Sequence, residues 1–137
     1  MSDLDLFLTP EQTETIDFVV SKRFKNAAGN PEPWELRPIT IGLNNALIKE
    51  STKKVTQGRK IIAETDEAVY GLKLVSKCVI YPDLMNVKLL EHYGAARPEE
   101  VLEKMLLPGE FAGLQKKCLD ICGFGETLDE LVEEAEN

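Results

Sequence analysis

The chain has 137 residues, 43% apolar and 29% charged, a size and composition that suit one soluble domain with a single buried core. Its net charge of −8 argues against a general nucleic-acid or membrane-surface binder, and no apolar run reaches the length of about 18 residues that a membrane span needs. The acidic start Met1-Ser2-Asp3-Leu4-Asp5 lacks the positive region of a signal peptide, and three cysteines, an odd number, read as thiols of a reducing cytoplasm rather than a disulfide framework.

Asp3 to Leu8 is a short apolar segment diluted by acids, expected as an extra edge strand or as an arm packed on the body or a partner. Thr9-Pro10-Glu11-Gln12 has the form of a capping box, but alternation follows it, so a turn is expected. From Thr15 to Phe24 the apolar residues Ile16, Phe18, Val20 and Phe24 recur at even spacing, the signature of a half-buried strand. A Gly/Pro-punctuated connection, Asn26 to Pro31, leads to a second alternating run, Trp34-Glu35-Leu36-Arg37. The two runs predict a hairpin, and a hairpin alone is barely stable in water, so its apolar face must rest on helices.

Thr40 is the expected N-cap of a helix carrying Leu43, Ala46 and Leu47 on one face and ending near Ser51. Thr52 to Ala63 is weakly patterned, with Lys53, Lys54, Arg59 and Lys60 flanking Gln57-Gly58. It reads either as a solvated loop or short hairpin arm, or as a basic docking patch for an acidic partner. Thr65-Asp66-Glu67 opens a stronger helix whose stripe of Ala68, Leu72, Val75 and Val79 runs to about Tyr81, where Pro82 stops it. Asn86 caps a short helix ending at Gly94, with Leu89, Leu90 and Tyr93 inward. Pro98-Glu99-Glu100 opens another that carries Val101, Leu102, Met105 and Leu106.

Pro108 starts the last core helix, with Phe111, Leu114, Cys118, Ile121 and Cys122 on one face. Gly123 stands where a left-handed stop belongs, with Phe124 folding back on Leu119. Glu126 to Asn137 then carries six acids and no base. Thr127 and Glu130 are in capping-box relation there, and Leu128, Leu131, Val132 and Ala135 fall on one helical face. The chain therefore divides into an expected single domain, residues 1–125, and an acidic tail, residues 126–137. The fold class is α+β: an N-terminal antiparallel hairpin of two to three strands, the third drawn from the Leu6 or the Thr52–Ala63 segment, packed on four to five short helices.

The charge is uneven. Residues 1–60 hold nine basic and eight acidic side chains, and residues 61–137 hold seven and sixteen, an asymmetry that reads either as an acidic, solubilising tail or as an interaction surface. Little in the sequence is arranged for chemistry. His92 is the sole histidine, and Cys118-x3-Cys122 with Cys78 far away in sequence does not supply the ligand spacing of a zinc site. Phosphate-loop, dinucleotide-binding, zinc-protease and nucleophile-elbow motifs do not occur. The paired acids Asp66/Glu67 and Glu99/Glu100 sit at helix starts, where the helix dipole explains them. No enzyme, metal or cofactor is expected, and Cys118 is expected to face the core.

The ordered set of punctuation is distinctive: Ser21-Lys22-Arg23-Phe24, Trp34-Glu35-Leu36-Arg37-Pro38-Ile39-Thr40, Thr52-Lys53-Lys54, Tyr81-Pro82-Asp83-Leu84, Tyr93-Gly94, Met105 to Phe111, and Ile121-Cys122-Gly123-Phe124. From Leu6 to Phe124 it resembles the tail assembly chaperones of Gram-positive phages and defective prophages, the XkdN-like group. The resemblance implies a non-enzymatic role in the bacterial cytoplasm: holding the tape measure protein, a long, helical and rather apolar chain, soluble until tail tube subunits polymerise around it. It implies the tape measure protein as partner, with the tail tube protein as a further candidate, and a structural component retained in the particle as the alternative function. As partner-binding candidates the sequence offers Leu128, Leu131 and Val132 on the tail and Lys53, Lys54, Arg59 and Lys60 in the basic segment.

Overall fold

The computed structural model describes residues 3–8 and 15–124, and its fold is α+β. Strands β1 (Ile16–Phe18) and β2 (Trp34–Leu36) form the expected N-terminal hairpin, with Ile16 opposite Leu36 and Phe18 opposite Trp34. Alternation sets its inner face: Trp34 and Leu36 are buried while Glu35 between them is exposed. Helix α1 (Ile41–Glu50) follows, then a second hairpin of β3 (Thr52–Gln57) and β4 (Lys60–Thr65), and helix α2 (Glu67–Cys78). Strand β5 (Val79–Tyr81) and helices α3 (Val87–Tyr93), α4 (Pro98–Met105) and α5 (Pro108–Ile121) complete the order.

Local chemistry starts and stops the helices as the sequence leads one to expect. The Thr40 hydroxyl accepts from Leu43 N–H at 3.3 Å, the Asp66 carboxylate from Ala68 and Val69, and the Asn86 side chain from Lys88 at 2.9 Å. Pro98 and Pro108 occupy first turns, where the missing N–H costs nothing. Gly94 adopts the left-handed conformation that closes α3. At the end of α5, Gly123 has φ +90°, and Phe124 N–H donates to Leu119 C=O at 2.9 Å, the closing bond of a Schellman ending.

Helix α2 is the centre of the molecule. It packs on α1, α4 and α5, and α3 in turn packs on α4. Its buried residues are Gly71, Leu74, Val75 and Cys78. The expected stripe is therefore rotated: Ala68 is exposed and Leu72 only half-buried. Three helical neighbours press on α2, and their positions, not the helix's own periodicity, select the arc that is sealed. At Gly71 the space is already taken, since a Cβ there would run into the side-chain amide of Gln115 on α5.

Three further expectations change. The helical pattern through Tyr81 ends at Cys78, and Val79–Tyr81 becomes the third strand of the N-terminal sheet, in the order β1-β2-β5, antiparallel to β2. Val79 and Ile80 are β-branched and suit either state, and Leu36 opposite Val79 settles it. The third strand thus comes from neither the Leu6 nor the Thr52–Ala63 segment. Asp3–Phe7 is a 3-10 turn with every residue exposed, not an edge strand. In α1 only Leu47 is buried, while Leu43 lies at the rim and Ala46 is exposed, because α2 is the main helix packed against it among the described residues.

The buried cluster joins Trp34 and Leu36 of the sheet to Leu74, Val75 and Cys78 of α2, Val101, Leu102 and Met105 of α4, and Leu114 and Cys118 of α5. Cys118 faces this core, fully buried, as expected. The expected turn at Thr9–Gln12 and the expected tail of residues 126–137 lie outside the described residues.

Candidate partner-binding surfaces

Cys78, remote in sequence from Cys118 and Cys122, meets them where α2 packs on α5. Cys78 Sγ lies 3.8 Å from Cys122 Sγ, and Cys118 is its other sulfur neighbour. A hydrogen bond with Cys118 and burial push the Cys78 thiol far above the ordinary value, and burial raises that of Cys122. Both are held protonated and are poor nucleophiles. Among the described residues no three His, Cys, Asp or Glu side chains are placed to hold a metal ion. His92 is exposed, its ring edge-on to Tyr93 at 4.7 Å. Periodicity put Cys118 and Cys122 on one face, but only the α2–α5 pairing brings Cys78 to them.

Lys53, Lys54, Arg59 and Lys60 all lie on the second hairpin, Lys53 and Lys54 toward its base and Arg59 and Lys60 at its tip. β3 and β4 pair in register from Thr52–Thr65 to Gln57–Lys60, and Gly58, at φ +62°, makes the turn. Among the described residues this sheet has two strands, and β4 is exposed at every position. The segment is thus a hairpin arm, with Ile61 71% and Ile62 37% exposed beside its cations. None of the four cations forms an ion pair among the described residues. Leu128, Leu131 and Val132, the other candidate residues, lie outside the described residues.

One hollow is not singled out by sequence periodicity. Between α2, α4 and α5 an open groove of about 550 Å³ has an apolar floor of Leu72, Leu102, Leu106 and Phe111, with Glu67 and Glu103 at its edges. Each floor residue reads as core in the sequence, and the only hint of a groove is that several helical stripes are wider than one neighbour can cover. One wall is braced from afar. Arg23, just beyond β1, donates to the Glu110 carboxylate at 2.5 and 3.0 Å and to Met105 C=O at 3.0 Å, while Glu110 also accepts from Leu107 N–H at 2.8 Å. These donors, Arg23 foremost, hold the Glu110 carboxyl well below the ordinary value, at about 2. The brace ties the N-terminal hairpin to the α4–α5 junction that forms the groove's end.

No helix among the described residues is long and apolar enough to cross a membrane. The family model described as phage XkdN-like tail assembly chaperone protein matches residues 4–136. The chain is 35% identical to the phage-like element PBSX protein XkdN of Bacillus subtilis (strain 168), over 98% of this chain and 94% of that protein. It is 33% identical to the protein YqbN of the same strain, covering 98% of this chain and 93% of YqbN. The crystal structure of a protein YqbN superposes with a TM-score of 0.74 at 29% identity, covering 90% of this chain and 98% of that one. Sequence and fold agree over nearly the whole length, and the chain belongs to the XkdN-like family of phage tail assembly chaperones.

Proposed function

We propose that this chain acts without catalysis, binding the tape measure protein of its phage or prophage and keeping it soluble in the host cytoplasm while the tail tube assembles. The observation that carries this reading is the match of a tail assembly chaperone family over residues 4–136. The surface chemistry supports it. A long helical, apolar client needs an apolar track on a well-charged carrier, and the open groove lined by Leu72, Leu102, Leu106 and Phe111 suits an amphipathic helix laid into it. The basic hairpin, through Lys53, Lys54, Arg59 and Lys60, and the tail residues Leu128, Leu131 and Val132 are further places for the client or the tail tube protein to bind. Residues 1–125 then form the carrier domain and residues 126–137 an acidic appendage that adds solubility.

Co-expression with the matching tape measure protein tests the proposal. The expected result is a higher soluble yield of that protein and co-purification of the two, with the chain absent from finished particles. Equal insolubility of the tape measure protein with and without the chain overturns the chaperone reading. Retention of the chain in purified particles favours a structural component instead.

A further inference from the structure

The tip of the second hairpin joins an uncovered apolar side chain to two cations. Arg59, Lys60 and Ile61 are consecutive there, Ile61 is 71% exposed, and neither cation forms an ion pair among the described residues. The arm's main contacts are between its own two strands, and a hairpin without a further surface is only marginally stable in water. Its register runs unbroken from Thr52–Thr65 at the base to Gln57–Lys60 at the tip, which at the rise of an antiparallel strand is about 17 Å. The groove between α2, α4 and α5 has the opposite character. Its floor is apolar, and the acids at its edges, Glu67 on α2 and Glu103 on α4, are exposed and form no ion pair among the described residues. Among the described residues, none from the arm lines this groove within one chain.

We infer that the hairpin tip of one copy of this chain seats in the groove of a second copy, with Ile61 on the floor at Leu72, Leu106 and Phe111 and with Arg59 and Lys60 against Glu67 and Glu103. Charge chooses the occupant. Two cations at the tip face two acids, one on each wall of the groove, and an isoleucine between them meets the apolar floor. Geometry excludes the copy's own groove. That groove starts at Glu67 and Ala68, just past the base of the arm, while the paired ladder holds the tip about 17 Å from that base. Like charge disfavours the other self-pairing, arm against arm, since Arg59 and Lys60 of two copies would repel. The contact joins two different patches, so the rotation between copies sets how many assemble. A client helix in the same groove would compete with the arm, but the inference does not depend on the identity of the client.

Sedimentation equilibrium of the purified full chain tests it. The weight-average mass should rise with concentration between about 10 and 500 µM, the range in which a small contact of micromolar affinity fills, and raised salt should weaken the association. On the arm, Ile61→Asp or the double variant Arg59→Glu/Lys60→Glu, and in the groove Glu67→Lys/Glu103→Lys, should each weaken it by about tenfold or more, while Trp34 emission reports an intact core. A mixture of the two charge variants should associate although neither does so alone, because each arm then meets a groove of opposite sign. A wild-type chain that stays monomeric throughout overturns the inference. So does association that survives the arm variants or the groove variant, which places the interface elsewhere, or a mixture no more associated than its parts, which shows that these charges do not meet.

Discussion

Leu72 and Leu74 are two residues apart on α2, and replacing each with alanine separates the periodicity of the helix from its packing. The sequence stripe counts Leu72 as core and leaves Leu74 off it. In the structure Leu74 is fully buried at the meeting of α2 with its neighbours, and Leu72 lines the open groove. Leu74→Ala loses the transfer free energy of a buried leucine and leaves a closed cavity, together about 3 kcal/mol. Leu72→Ala gives up about half of the transfer free energy and leaves space that water can enter, about 1 kcal/mol. For a chain of this size these correspond to falls in Tm of about 10 °C and about 3–4 °C. In urea the midpoints should drop by about 1.5–2 M and about 0.5 M. The assay has a built-in reporter, because Trp34 is the sole tryptophan and is buried in the same cluster as Leu74. Urea unfolding followed by its emission, with the slope unchanged, gives both values. A loss for Leu72→Ala equal to or greater than that for Leu74→Ala would refute the packing argument.

Glu110→Gln should lower Tm at neutral pH. The folded-state carboxyl lies near 2, below the ordinary 4.5, so its contribution is full above about pH 4.5 and is lost as pH falls toward 2. The gap between wild type and variant should close across that window in Tm measured against pH, and a gap independent of pH would count against the Arg23 brace. The hairpin arm should be the first place trypsin cuts, at Arg59 and Lys60 around the Gly58 turn, because the arm exposes β4 throughout and anchors little apolar surface. Mass analysis of early fragments checks this, and cleavage no faster there than in the helices would mean the arm is packed.

What the sequence determined by itself is local. Thr40, Asp66 and Asn86 cap helices through bonds to residues two or three positions on, and Gly94 and Gly123 end them through their own backbone angles. Such contacts form within a turn and need no partner from elsewhere, so residue types at fixed offsets are enough to read them. The alternation of Trp34, Glu35 and Leu36 is of the same kind, since a one-residue shift would turn the tryptophan to water. The ordered set of these local signals also carried the resemblance to the chaperone family.

Tertiary structure decided the rest. Val79–Tyr81 is a strand because Leu36 lies opposite Val79, more than forty residues earlier in the chain. The sealed arc of α2 is Gly71, Leu74, Val75 and Cys78 because α1, α4 and α5 press on it from three directions, and a single helix's periodicity cannot say how many neighbours it will have. The same pairing gathers the three thiols and leaves the groove of Leu72, Leu102, Leu106 and Phe111 open. A half-buried leucine at the edge of an apolar stripe looks the same in sequence whether a helix covers it or a partner does. Only the positions of the surrounding helices distinguish the two.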